Sequence, residues 1–160
     1  MILGIDPGTT ESAFAVVTAD YSVHQAHKLI NAELLTILKR ISYADAVAVE
    51  SMQSYGQIVG RAIFETCFMI GRILQVCDDR GLPVFLYPRP EYARSLCGSQ
   101  KINDAILRRA LLMRFGGDKK GEPLNELRGE TDKRSAFAVA VYHMDLERIK
   151  KGSRISPAPL

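Results

Sequence analysis

The run Ile2-Leu3-Gly4-Ile5-Asp6-Pro7-Gly8-Thr9-Thr10 decides how the rest of the chain is read. Apolar and small residues lead to a lone carboxylate and then to Pro-Gly, the pattern of a short strand that stops at a turn. Ser12 to Thr18 resumes with Phe, Ala and Val, so the two segments read as a hairpin. A third strand is expected at about Ser22 to Leu29. A helix should follow from about Ala32 to Ile41, where Leu34, Leu35, Ile37, Leu38 and Ile41 recur at helical spacing. Ala46-Val47-Ala48-Val49-Glu50 then runs without a break through small and β-branched residues, which suits a strand buried on both faces of a parallel or mixed sheet.

Downstream the rhythm changes to threes and fours. A long helix is expected from about Gln57 to Arg80, ended by Gly81 and Pro83, and a strand at Val84 to Tyr87 closed by Pro88-Arg89-Pro90. Shorter helices fit Pro90 to Cys97 and Ile102 to Phe115. The charged, glycine-containing stretch Asp118 to Glu130 reads as an exposed, mobile loop, and Thr131 as the N-cap of a last helix from Asp132 to Lys150. Strands followed by alternating helices and strands make an α/β domain with a mixed five-stranded sheet flanked by helices, spanning residues 1–151, with a frayed tail at 152–160.

Composition agrees with one domain. The 160 residues include 21 Lys or Arg and 18 Asp or Glu, a net charge of +3, with 47% hydrophobic and 24% charged residues, which excludes a disordered or fibrous chain. No apolar run reaches the roughly 18 residues of a membrane span, and Met1 to Gly4 shows no basic leader, so a soluble, cytoplasmic protein is expected. Cys67, Cys77 and Cys97 lack metal-site or redox spacing and read as reduced core residues.

The candidate chemistry is acidic. Asp6 and Glu50 each end an apolar strand, and they converge if those strands are neighbours. Asp132 opens the last helix, with Ser135 one turn later on roughly the same face. Each has a plain structural reading, as turn former, strand end or helix-dipole partner. As a set, three carboxylates without His or Cys nearby suit a hard cation such as magnesium or manganese. His24, His27 and His143 are not convincing catalytic groups, the first two on an edge strand and the third on an apolar helix.

Leu3 to Thr10, then Val47-Ala48-Val49-Glu50, then Asp132-Lys133-Arg134-Ser135-Ala136-Phe137-Ala138-Val139-Ala140 stand in the order and approximate spacing of the RuvC-like Holliday junction resolvases. The chain resembles that family, a branch of the RNase H-like nucleases, from Ile2 to about Lys150. The resemblance implies an RNase H-like fold, Asp6, Glu50 and Asp132 as metal ligands, and two Mg2+ or Mn2+ ions hydrolysing phosphodiesters. It departs at Ser135, where the family usually has a fourth acid, so a metal site is weakened or another acid, Glu130 or Asp104, substitutes. It places Lys101 near the scissile phosphate and Tyr55 in a loop that wedges into the junction. Arg94, Arg108, Arg109, Arg114, Lys119 and Lys120 form a candidate phosphate track. Two strands must be cut, so a homodimer is expected, with the helix bearing Phe64, Phe68, Met69 and Ile73 at the interface.

Three other readings remain open at this point. The first motif also resembles the phosphate loop of the actin and sugar-kinase ATPases, but those need two such domains and the length has room for one, so no nucleotide cofactor is expected. An RNase H-like nuclease for flaps, other branched DNA or structured RNA would use the same metal chemistry. A catalytically weakened junction-binding protein would account for Ser135.

Overall fold

A computed structural model describes residues 1–53, 56, 59–98 and 102–152. The leading segments form β1 (Ile2–Asp6), β2 (Glu11–Val17) and β3 (Val23–Ile30), an antiparallel meander. After α1 (Asn31–Arg40) comes β4 (Ala46–Ser51), which lies parallel to β1, and after α2 (Arg61–Asp78) comes β5 (Val84–Pro88), parallel to β4. The sheet order is β3-β2-β1-β4-β5, so the mixed five-stranded sheet expected from the sequence is present. The chain then continues through α3 (Arg89–Cys97), α4 (Asp104–Phe115), a 3-10 turn at Asn125–Leu127 and α5 (Thr131–Lys150).

Alternation along the strands divides the core into two layers. Leu3, Ile5, Phe14, Val16, Val47 and Val49 pack on one face with Leu34, Leu38, Met69 and Ile73 of α1 and α2. On the other face, Ala13, Ala15, Val17 and Ala48 meet α5, and Tyr92, Leu107, Leu111 and Leu127 close the layer. Small residues on the strands of this second face let a long helix lie close to the sheet. Gly4 shows how close: a β-carbon there would sit 1.9 Å from the carbonyl oxygen of Ala136.

Several sequence expectations are corrected. The stretch 118–130 is exposed at most positions, as expected, but it is anchored: Leu124 and Leu127 are buried in the α5 layer and Asp118 is buried against Arg108. Helix α2 begins at Arg61, not near Gln57, with Gly60 still extended. Thr131 lies inside α5 and Glu130 takes the cap position. Asn103 caps α4, accepting from the Ile106 amide at 2.9 Å, so that helix starts at Asp104. All three cysteines are free, but only Cys77 is buried, and Cys67 faces solvent. Met69 and Ile73 belong to the core, whereas Phe64 and Phe68 of the same helix are exposed. Among the described residues no helix is long and apolar enough to cross a membrane.

Candidate active site

Parallel pairing of β1 with β4 matches Ile5 to Val49, which brings Asp6 and Glu50 side by side where the two strands end. Both follow by two residues a position on the α5 face, Gly4 and Ala48, so by strand alternation both carboxylates belong to that face. The first turn of α5 supplies Asp132, and Ser135 follows one turn on. Gly4 sets this meeting, since only a residue without a β-carbon lets the backbone of Ala136 settle onto β1. The loop after Asp6 is also pinned. The Gly8 amide donates to Ser12 Oγ at 3.2 Å, Ser12 Oγ donates to Asn31 Oδ1 at 2.7 Å, and Asn31 Nδ2 donates to the Gly8 carbonyl at 3.1 Å. A β-carbon on Gly8 would lie 2.3 Å from the Glu11 carbonyl oxygen. The two glycines of the opening motif thus fix where its aspartate stands.

The site is electrostatically loaded. Burial, followed by the neighbouring Glu50 and Asp132 carboxylates, pushes Asp6 up to about 8, against the Arg89 guanidinium and a hydrogen bond with Ser135. Burial also raises Glu50, opposed by the Tyr92 hydroxyl, which donates to Glu50 Oε2 at 2.6 Å, and by Arg89. Asp132 is paired with Lys28 of β3 at 2.8 Å. Among the described residues no three His, Cys, Asp or Glu side chains are gathered tightly enough to grip one ion in this conformation, in which Lys28 holds Asp132 and Tyr92 holds Glu50. The donors are nonetheless all oxygens, and a desolvated Asp6 between two other acids is a group that a cation would stabilise. The residues therefore fit a hard divalent ion and offer nothing to a soft one.

Three partners of the acids were not singled out from the sequence. Arg89 donates through Nη1 to Ser135 Oγ at 2.9 Å, lies 3.8 Å from Glu50 Oε2, and pairs through Nη2 with Asp104. Tyr92 and Lys28 are the second and third, and Asp104, one of the two candidate substitutes for the missing acid, is engaged by Arg89. Glu130, the other candidate substitute, precedes α5 at its cap. The signal for Arg89 was present: it directly follows a parallel strand, the place where sheets of this type build sites.

The expected phosphate contacts are distributed unevenly. Arg94 on α3, Arg109 on α4, and Lys119 and Lys120 are exposed. Arg108 is held by Asp118 through two bonds of 2.9 and 2.8 Å, and the half-buried Arg114 is tied into a pair with the buried Asp145, so Arg114 is structural. Lys101 and Tyr55 lie outside the described residues. His143 is buried, with Nδ1 2.9 Å from the Tyr87 hydroxyl and its ring stacked against Phe85, as its apolar helix implied.

Comparison with known proteins agrees with this fold. No family model matches the chain. The crossover junction endodeoxyribonuclease RuvC of Corynebacterium efficiens is 27% identical over 159 residues, covering 89% of this chain and 67% of that protein. RuvC of Corynebacterium glutamicum is also 27% identical, over 89% and 68%. Among solved structures, T. thermophilus RuvC in complex with a Holliday junction substrate aligns with a TM-score of 0.71 at 20% identity, over 93% of this chain and 95% of that one. Fowlpox virus resolvase with Holliday junction DNA aligns with a TM-score of 0.60 at 16% identity, over 91% and 99%. The chain has the fold of the RuvC resolvases and is RuvC-like in sequence over most of its length.

Proposed function

We propose that this chain is a divalent-metal-dependent endodeoxyribonuclease that resolves four-way junctions by paired hydrolysis of phosphodiester bonds. The observation that carries the reading is the meeting of Asp6, Glu50 and Asp132, from β1, β4 and α5, at one end of the sheet. Similarity to proteins named as crossover junction endodeoxyribonucleases supports the choice of substrate.

In the reaction, a water oxygen bonds to phosphorus while the bond to the 3′ oxygen breaks, leaving a 5′-phosphate and a 3′-hydroxyl. Mg2+ or Mn2+ would supply the activation of water and the neutralisation of phosphate charge. Asp6, Glu50 and Asp132 are the side chains that would hold it, with Ser135 as a neutral oxygen donor. The resemblance implies a pair of ions, with Asp6 among the residues that would hold them, and the number taken turns on Arg89. Strand ends hold Asp6 and Glu50 more rigidly than loops would, which keeps the acids in place as substrate arrives.

Exposed Arg94, Arg109, Lys119 and Lys120, with Arg108 once released from Asp118, would follow the DNA backbone, and Lys101 would neutralise charge at the cut. Tyr55 would stack on a base at the junction centre, a contact worth about 1–3 kcal/mol. Phe64 and Phe68, one turn apart on α2 and 53% and 69% exposed, form an apolar patch suited to a two-fold homodimer, which would place two sites for two cuts. In this reading residues 1–151 are the nuclease domain with a tail at 152–160, no nucleotide is used, and the protein works in the cytoplasm.

The test is a panel of labelled four-way junction, flap, linear duplex and structured RNA, each with Mg2+ or with EDTA. Paired, symmetric, Mg2+-dependent cuts confined to the junction are expected. Preference for flaps or RNA would assign another RNase H-like activity, and tight junction binding without cuts would mark a binding protein.

A further inference from the structure

We propose that the guanidinium of Arg89 is a built-in cation standing where a second divalent ion would bind, so that the acidic site takes one metal ion. This rests on the metal-dependent reading of the site and deepens it.

Arg89 is the first residue of α3 and emerges directly beyond β5, whose last residue Pro88 is matched to Ser51, the neighbour of Glu50. Its planar fork spans the site. Nη1 is 2.9 Å from Ser135 Oγ, 3.4 Å from the Tyr92 hydroxyl and 3.8 Å from Glu50 Oε2, and Nη2 is paired with Asp104 on α4. Ser135 in turn is hydrogen-bonded with Asp6. An ion bound between Ser135 and Glu50 would have to sit where this guanidinium sits. A strongly basic, always-charged group is well suited to such a fixed position, because it cannot leave as a proton or as a dissociating ion.

Charge counting leads to the same result. With a cation bound and the acids ionised, Asp6, Glu50, Asp132 and Asp104 face Arg89 and Lys28, which leaves two net negative charges, the number one divalent ion neutralises. A second ion would leave the partly buried site with a positive excess that the single charge of a phosphodiester does not offset. Serine at 135 belongs to the same arrangement. A carboxylate there would meet Arg89 and be neutralised by it, so it would gain no affinity for metal while the arginine remained.

The test counts Mn2+ bound per full-length chain, from loss of the free-ion electron paramagnetic resonance signal during titration. Wild type and Ser135→Asp should each saturate at about one ion, the double variant Ser135→Asp/Arg89→Gln at about two, and Ser135→Asp/Arg89→Lys, which keeps the positive charge, at about one. Circular dichroism confirms that each variant is folded, and the comparison of wild type with Ser135→Asp decides the matter even where a double variant is not. Two ions bound by wild type, or by Ser135→Asp alone, would overturn the proposal and leave the metal-dependent reading standing. A folded Arg89→Gln double variant that stays at one ion would overturn it as well. Binding of no Mn2+ by wild type would overturn both.

Discussion

Replacing Gly4 with alanine probes how the sheet and the last helix together build the site. The new β-carbon would stand 1.9 Å from the Ala136 carbonyl oxygen and 2.9 Å from the Ala140 β-carbon, and both neighbours are completely buried. Real contacts of this kind begin at 3.0 Å, so α5 must retreat from β1 by at least about 1 Å or β1 must buckle by as much. Overpacking of this sort costs about 1–3 kcal/mol, which in a domain of this size lowers the melting temperature by roughly 2–12 °C. The same retreat carries Asp132 and Ser135 away from Asp6, and a misplacement of about 1 Å at reacting groups costs on the order of 10²-fold in rate. The assay is single-turnover cleavage of a labelled four-way junction in Mg2+, with a thermal melt of the same sample. Gly71→Ala is the control, since α2 leaves open space around that position. It should cut normally and melt no lower than wild type. A Gly4→Ala protein that melts and cuts like the control would refute the argument that this glycine seats α5 on the sheet.

Two further outcomes follow from the charges. Asp6 titrates from 3.8 in its ordinary state to about 8 in the fold, chiefly through burial, so its ionisation opposes folding. Below pH 3.8 both states hold the proton and there is no penalty; the penalty grows as pH rises from there and is complete above about 8. In EDTA at pH 7.5, Asp6→Asn should therefore be more stable than wild type, on the order of a few kcal/mol, with the difference shrinking towards pH 4 in urea melts. Equal stability at both pH values would contradict the burial and crowding described for Asp6. Asp145, buried and paired with the half-buried Arg114, also accepts the Tyr21 hydroxyl at 2.6 Å. Asp145→Ala removes the carboxylate partner of a half-buried guanidinium and should cost about 1.5–3 kcal/mol by chemical denaturation, while a loss below about 0.5 kcal/mol would show that the pair is solvated.

Much of this architecture could be read from residue order, because the strands carry period-two or unbroken apolar signals and the helices carry theirs. Asp6 and Glu50 were legible for the same reason: a charge that ends an apolar strand has no packing role to explain it. Their adjacency was only conditional until β1 and β4 were seen to pair in parallel. Arg89 was hidden by its neighbours, since Pro88-Arg89-Pro90 looks like turn punctuation, and the partner that gives it meaning, Ser135, lies 46 residues away. Lys28 was lost on an edge strand that faces mostly solvent, where a lysine is the default residue. Leu124 and Leu127 show the opposite failure, because the charges around them outweighed two leucines that reach the core. Pairing across the sheet and burial by distant elements are tertiary facts, and no local pattern encodes them.

In the proposed function Asp6, Glu50 and Asp132 act as one group. It is tested most directly by measuring junction cleavage in Mg2+ for Asp6→Asn, Glu50→Gln and Asp132→Asn, each at a concentration that saturates junction binding. Every one of the three is expected to lose at least about 10²-fold in rate while still binding the junction. Wild-type cleavage by any one of them would contradict it.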